Sequence, residues 1–280
     1  MLALLRACPS CEDFDTYYMG RQLPPILYHY FSRPVPYAQT WALQEQIYQL
    51  QLRLRETSTH PDVLLLLQHR PTYTAGRRQT DLSLHDDRIR LQNMGADFVT
   101  TTRGGQLTYH GPGQLVGYPL IDLSRYTPTM GARDYVCRVQ TLLQTYLIKS
   151  HAIQHFPSEH TGVFVDPTKK IGSIGVQIRQ RLTSHGFALN LTNEPLSWFD
   201  QIISCGLVGV NAVSVETKLE KPVDIDKEAS GIIELFGNIF ERRMVKLDSV
   251  AGGELSQAIM TLENDAEQAG EWLVAPRAVT

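Results

Sequence analysis

Apolar positions along the chain follow helix-like and strand-like periods in turn. From Pro36 to Arg55, Trp41, Leu43, Ile47, Leu50 and Leu54 recur at near-helical spacing among Gln, Glu and Arg, which predicts an amphipathic helix. Asp62 to Gln68 is instead a continuous aliphatic run, DVLLLLQ, the mark of a strand covered on both faces. Phe98 to Thr102 is short and β-branched, and Gln114 to Ile121 is an apolar stretch after a glycine-rich turn; both read as strands. A second helix is expected from Tyr135 to His151, where Val136, Val139, Leu143, Tyr146 and Leu147 share one stripe. Ile171 to Arg179 and His185 to Leu191 each alternate apolar and polar residues and are separated by QRLTS. They predict a hairpin with one packed face. Gly231 to Arg243 reads as a late helix.

Strands separated by helices and followed by a hairpin predict a single α/β domain over residues 24–250. Residues 1–23 read as an N-terminal extension. Residues 251–280 read as an acidic tail, mobile or loosely helical: Glu254, Glu263, Asp265, Glu267 and Glu271 occur there with no Lys or Arg before Arg277. The composition, 42% hydrophobic and 20% charged, is that of an ordinary globular protein. A net charge of −3, from 26 basic and 29 acidic residues, lacks the basic excess of a nucleic-acid binder. The longest wholly apolar run, Val63 to Leu67, falls far short of the roughly 20 residues that span a membrane. Neither a nucleic acid nor a membrane is expected as a partner.

Four cysteines, Cys8, Cys11, Cys137 and Cys205, are unevenly spaced, which fits a reducing compartment better than a disulfide scaffold. Cys8 and Cys11 form a CxxC, but no second pair or nearby His completes a zinc site, so no metal is expected. The opening MLALLRA resembles the start of a mitochondrial leader, whereas the CEDFDTYY that follows is acidic, which such leaders avoid.

Candidate chemistry concentrates in three places. RGGQLTYHGPGQ, from Arg103 to Gln114, carries Gly104, Gly105, Gly111 and Gly113 together with Arg103, Tyr109 and His110. Glycines let backbone approach a ligand closely, and the polar side chains make more of this segment than a tight turn. It is neither a Walker A loop, since no Gly-Lys-Ser/Thr follows, nor a dinucleotide fingerprint, since no GxGxxG opens a helix. Cys205 lies in IISCGLVG between Ser204 and Gly206, small neighbours that leave a sulfur reachable, whereas Cys137 lies inside a helix with no polar motif around it. A reactive thiol needs a cation or helix N-terminus to lower its pKa, and Lys170, at the start of the Ile171–Arg179 strand, is a candidate cation. HFPSEH, with His155, Glu159 and His160, has neither HExxH nor HxxEH spacing. His185, at the start of a strand, reads as a structural hydrogen-bonding residue.

Together, RGGQLTYHGPGQLVGYPLIDL, KKIGSIGVQIRQRLTSHGFALNL and ISCG resemble, in order, three motifs of the lipoyl(octanoyl) transferases. These enzymes move octanoyl from acyl carrier protein to a lysine of another protein as the first step of protein lipoylation. The resemblance runs from about residue 60 to 215 and implies the α/β fold of biotin and lipoate ligase catalytic domains, a mixed β-sheet with packing helices. It implies that Cys205 is the nucleophile that forms an acyl thioester and that Lys170 lowers its pKa and handles protons. It further implies that the acyl and thioester pocket is lined by Arg103, Gly104, Gly105, Gln106, Leu107, Thr108, Tyr109 and His110, with Ser173, Ile174, Gly175, Gly186, Phe187 and Ala188. The implied partners are octanoyl-acyl carrier protein, which brings its own phosphopantetheine, and the lipoyl domains of 2-oxoacid dehydrogenase E2 subunits and glycine cleavage H protein. No ATP, metal or other cofactor is implied. Ser204 stands where the family commonly has proline, and the stretch from His185 to Cys205 is about one residue longer than the family's. Extensions at both ends are typical of eukaryotic members, which implies the mitochondrial matrix more than the cytoplasm.

The residues offer backbone N–H groups of the glycine-rich segments as donors to a developing oxyanion. Three other readings stay open at this point: an ATP-dependent lipoate or biotin ligase that makes no use of Cys205, a hydrolase with His110 as base to Cys205, and a non-catalytic acyl-protein binding module.

Overall fold

A computed structural model describes residues 23–79, 81–247 and 253–278, the side chains of 81–83 excepted. Cys8, Cys11 and the leader-like start of the chain lie outside the described residues. In chain order the elements are β1 (Ile26–Tyr30), α1 (Tyr37–Arg55), β2 (Asp62–Leu67), β3 (Thr72–Ala75), α2 (Asp81–Asn93), β4 (Asp97–Thr100), β5 (Thr108–His110), β6 (Gln114–Leu120), α3 (Ala132–His151), β7 (Val163–Asp166), β8 (Lys169–Arg179) and β9 (Leu182–Asn190). They continue with α4 (Leu196–Phe199), β10 (Asn211–Ala212), α5 (Val215–Leu219), α6 (Ile225–Phe240), β11 (Met244–Lys246) and α7 (Glu254–Gln268).

The large sheet runs β10-β8-β9-β6-β2-β1-β11, with β7 also paired to β8, and it is mixed: β2 is parallel to β1 and antiparallel to β6. Central β2 shows why its sequence is aliphatic without alternation. Leu64 and Leu66 enter a core shared with α3 and α6, while Val63, Leu65 and Leu67 enter a second core shared with α1 and α7. All five are 0% exposed, so neither face tolerates a polar side chain. A smaller sheet, β4-β3-β5, forms a third core with α2 and α4 around Tyr73, Leu91, Phe98, Tyr109 and Trp198.

Several boundaries differ from expectation for identifiable reasons. The hairpin loop is two residues long, not five, because Gln180 (φ 50°) and Arg181 (φ 70°) both turn left-handed and bring Arg179 opposite Leu182. The late helix begins at Ile225, six residues before the expected Gly231, because the Asp224 side chain accepts from the Asp226 and Lys227 N–H groups and caps it. Of the two forms expected for the acidic tail, mobile or loosely helical, its described residues take the helical one. The tail forms α7, whose Ile259, Leu262 and Ala266 are buried against α1 and the sheet. Beyond α7, Arg70 donates to the carbonyls of Ala269, Gly270 and Glu271, and Leu273 reaches Gly95.

Candidate active site

Cys205 sits on a single tight turn, Ser204–Gly206, where its backbone is left-handed (φ 57°, ψ 19°). Such a conformation costs a side-chain-bearing residue about 1–2 kcal/mol, and the turn is held from outside: the Cys205 N–H donates to the Leu107 carbonyl at 2.8 Å. Gly206 follows, also left-handed at 68°, and a Cβ there would fall 1.7 Å from Gln106 Oε1. The turn and the 103–107 loop therefore lock together, which leaves Cys205 half-buried at the mouth of a cleft.

Lys170 reaches the same point from the sheet. Its strand is paired on both sides, with Ala212 of β10 and Phe164 of β7, so its backbone has little freedom. Strand alternation explains why Lys169 is exposed and Lys170 is 8% exposed. Gly162 (φ 128°) gives the lysine stem room, since a Cβ there would lie 2.7 Å from Lys170 Cε. Lys170 Nζ stands 3.6 Å from Cys205 Sγ and 5.6 Å from the Phe164 ring centroid, and no carboxylate pairs with it among the described residues. Ser204 Oγ lies 3.8 Å from the same sulfur. Burial pushes the Cys205 thiol up, but the Lys170 charge, the Ser204 hydrogen bond and the more distant Arg103 charge outweigh it. The net result is a thiol below its ordinary range.

Arg103 is the organiser of the loop. Its guanidinium donates to Thr74 Oγ1 at 2.7 Å and 3.2 Å, to the Thr74 carbonyl, and to the carbonyls of Gly104 and Gln106, each at 2.9 Å. Every acceptor is neutral, so the buried charge is hydrogen-bonded and not cancelled, and it acts on the surrounding groups. Burial first, and Arg103 second, push His110 down to about 4 and His185 down to about 3. Both rings are neutral.

The cleft holds about 460 Å³ of space free of protein atoms, part of it open to solvent. It brings together Arg103, Gly104, Gly105, Thr108 and His110 from the loop and β5, Ser173, Ile174 and Gly175 from β8, and Gly186, Phe187 and Ala188 from β9. Three residues expected to line it, Gln106, Leu107 and Tyr109, do not. On β5 side chains alternate, so Thr108 and His110 face the cleft, while Leu107 and Tyr109 face the third core. Tyr109 stacks on Trp198 at 5.4 Å between centroids. Leu107 contributes its carbonyl to the cysteine turn, and Gln106 packs on Gly206. Among the backbone donors of the glycine-rich loop, Gly104 N–H is committed to the Val176 carbonyl and Gly113 N–H to Gln68 Oε1, and on the cysteine turn Cys205 N–H is committed to Leu107 and Gly206 N–H to Ile203. Lys170 Nζ is the cation nearest the sulfur.

Sequence reasoning missed Tyr37, Val116, Tyr118 and His185, which also line the cleft. Tyr37 opens α1, and the other three sit on strands with nothing local to mark them. The expectation that His185 is hydrogen-bonded is not met, because neither of its ring nitrogens has a partner. A wider groove among Pro36, Arg70, Asp97 and Ala269 lies away from Cys205 and includes no cysteine.

Known proteins match this arrangement in sequence and in fold. The lipoyl protein ligase A/B catalytic domain family matches residues 36–237. The mitochondrial octanoyl-[acyl-carrier-protein]:protein N-octanoyltransferase of Danio rerio is 39% identical over 200 residues, covering 71% of this chain and 86% of its own. The octanoyltransferase of Koribacter versatilis is 36% identical over 203 residues, 70% of this chain and 79% of its own. Among solved structures, lipoate-protein ligase A bound with ATP superposes with a TM-score of 0.56 at 13% identity, over 90% of this chain and 98% of that one. The bipartite lipoate protein ligase of Thermoplasma acidophilum gives 0.54 at 12% identity, over 87% and 93%. At these identities the likeness speaks for the fold, which is the α/β architecture expected from the sequence.

Proposed function

The chain belongs to the lipoyl protein ligase A/B catalytic domain family, and on that premise we propose that Cys205 carries octanoyl, as a thioester, from an acyl carrier protein to a lysine of an acceptor protein. The chain is an acyltransferase, an octanoyltransferase of protein lipoylation. The observation that carries the thioester route is the Lys170–Cys205 contact of 3.6 Å at a cleft whose lining includes four glycines and the apolar side chains of Val116, Ile174, Phe187 and Ala188.

In the first step the Cys205 thiolate attacks the carbonyl carbon of octanoyl on the phosphopantetheine arm. The bond to the arm's sulfur breaks, and that sulfur leaves with a proton from the Lys170 ammonium. In the second, the neutral amine of the acceptor lysine attacks the acyl-enzyme, the carbon–Sγ bond breaks, and the amine's proton returns to Lys170 while Sγ departs as thiolate. Two modest barriers replace one high one. The Lys170 ammonium, 3.6 Å from Sγ, also faces the developing oxyanion. Exchange of one thioester for another, then for a more stable amide, needs no ATP and no metal ion.

The partners are an acyl carrier protein and a lipoyl-accepting protein. As acceptors we propose lipoyl domains of 2-oxoacid dehydrogenase E2 subunits and the glycine cleavage H protein, and as location the mitochondrial matrix, since the similar Danio rerio protein is described as mitochondrial. No helix among the described residues is long and apolar enough to cross a membrane. A Cys–His hydrolase is disfavoured: His110 Nδ1–H donates to Gln114 Oε1 at 2.7 Å, and it is Lys170, not His110, that contacts the sulfur.

Mixing the protein with octanoyl-acyl carrier protein without ATP and recording its intact mass tests the reading. An octanoyl adduct is expected, removed by hydroxylamine, absent from Cys205→Ser and lost on adding a lipoyl domain. No adduct in single turnover would sink the thioester route, and acceptor modification that required ATP and free octanoate would establish a ligase.

A further inference from the structure

The wall of the cleft also carries polar groups for which the transfer reaction has no use. Lys170 marks the nucleophile's end. From there β8 and β9 pair through Ser173–Ala188 and Gly175–Gly186 to Val176–His185. Six residues of β8 separate Lys170 from Val176, about 20 Å of strand measured between their Cα atoms. The seven carbon–carbon bonds of an octanoyl chain span only about 9 Å when extended like a backbone. A chain longer than octanoyl reaches further along this wall than octanoyl does.

His185 is 2% exposed, lines the cleft, and has no protein partner for either ring nitrogen. Held neutral, its imidazole presents one N–H donor and one acceptor lone pair. Directly behind it, Gln44 Oε1 accepts from the His185 backbone N–H at 2.8 Å, which fixes the amide's orientation and leaves Gln44 Nε2 as a second buried donor without a partner. The neighbouring groups do not supply what is missing. His69 Nδ1–H donates to the Val35 carbonyl at 3.1 Å, so its Nε2 accepts from the Tyr118 hydroxyl at 2.6 Å, and that proton is spent. Buried polar groups in folded proteins are nearly always paired. Two adjacent side chains with idle donors, one of them on a cleft wall, point to a hydrogen-bonding atom of a ligand.

We propose that His185, backed by Gln44, forms a polar subsite for the distal end of the acyl chain. It accepts chains that end in a small neutral polar group such as a hydroxyl and refuses plain alkyl chains longer than octanoyl. The inference rests on the octanoyl-transfer reading above and adds a determinant of donor selectivity to it. An alkyl terminus that reaches His185 covers its nitrogens without pairing them, whereas an ω-hydroxyl donates to one and accepts from the other.

The test uses the full chain with acyl carrier protein loaded with pairs of equal length: decanoyl against ω-hydroxynonanoyl, and dodecanoyl against ω-hydroxyundecanoyl, with octanoyl run in parallel. At one of these lengths the wild type should favour the hydroxylated donor in kcat/KM by at least about tenfold, the behaviour of a site built to pair a hydroxyl. His185→Leu should reverse that ratio towards the alkyl donor, and His185→Gln should keep the hydroxyl preference. Equal or better use of the alkyl donor by the wild type at both lengths overturns the proposal without any variant, as does a ratio that His185→Leu leaves unchanged. Failure of the wild type to transfer octanoyl itself would overturn the underlying reading instead.

Discussion

Replacing Lys170 by Met removes a charge while keeping most of the side chain's volume, and the structure sets the size of the effect. Nζ lies 3.6 Å from Sγ. Two unit charges about 4 Å apart at an effective dielectric near 20 interact by about 4 kcal/mol, which at about 1.4 kcal/mol per unit is about three pKa units. Cys205 is half-buried, so water screens part of this, and the Ser204 hydrogen bond and Arg103 charge persist in the variant. The opposing push of burial persists as well. We therefore expect the thiol pKa to rise by about two units, a cation's removal disfavouring the thiolate. The midpoint can be read from the pH dependence of iodoacetamide alkylation at the Cys205 peptide, with the Cys137 peptide of the same digest as reference. Lys170→Arg, which keeps the charge, should move the midpoint by less than about one unit. Acyl-enzyme formation near neutral pH should slow by up to about 100-fold, somewhat less if the more basic thiolate is the better nucleophile. A midpoint in Lys170→Met within about half a unit of wild type, or below it, would refute the assignment of Lys170 as the activating cation.

Three further outcomes follow from the packing. His69, His110 and His185 are buried and neutral, with folded-state pKa values below the ordinary value of about 6.5, His110 at about 4 and His185 at about 3. Their contribution to stability is complete above about pH 6.5 and is lost as pH falls through the folded values, so the melting temperature should drop from neutral to about pH 4. His69→Gln should flatten that profile, and a flat profile in the wild type would contradict the burial argument. Leu262→Ala should cost about 2–4 kcal/mol in chemical denaturation; an unchanged midpoint would mean that α7 is not part of the folded domain. Tyr109→Phe removes a buried hydroxyl that has no partner and should leave stability unchanged or raise it by up to about 1–2 kcal/mol. A large rise in donor KM for that variant would put Tyr109 back in the acyl pocket.

What the chain determines by itself is local. The unbroken aliphatic run of β2 and the stripe of α3 each state a period and a degree of burial that the structure matches, because side-chain direction repeats with backbone geometry. The alternation of β8 and β9 predicts their hairpin but not its burial, since β9 is buried along its whole length and not on one face only. Small neighbours around Cys205, a lysine at a strand start and a glycine-rich loop with polar cargo also stood out as residue types suited to thiol chemistry. The tertiary structure decided everything that depends on contacts between remote segments. Pairing of Lys170 with β10 and β7, and of the Cys205 N–H with the Leu107 carbonyl, brings together two side chains 35 residues apart. β5 is three residues long, too short for its alternation to be read, so the inward and outward choices of Leu107, Thr108, Tyr109 and His110 emerge only when it pairs with β3. The acidic tail masks Ile259, Leu262 and Ala266, whose three- and four-residue spacing forms a helical stripe with meaning only against α1. His185 became conspicuous for the same reason: the cleft wall it completes comes from segments far apart in the chain, and only their assembly leaves its ring nitrogens buried without a partner.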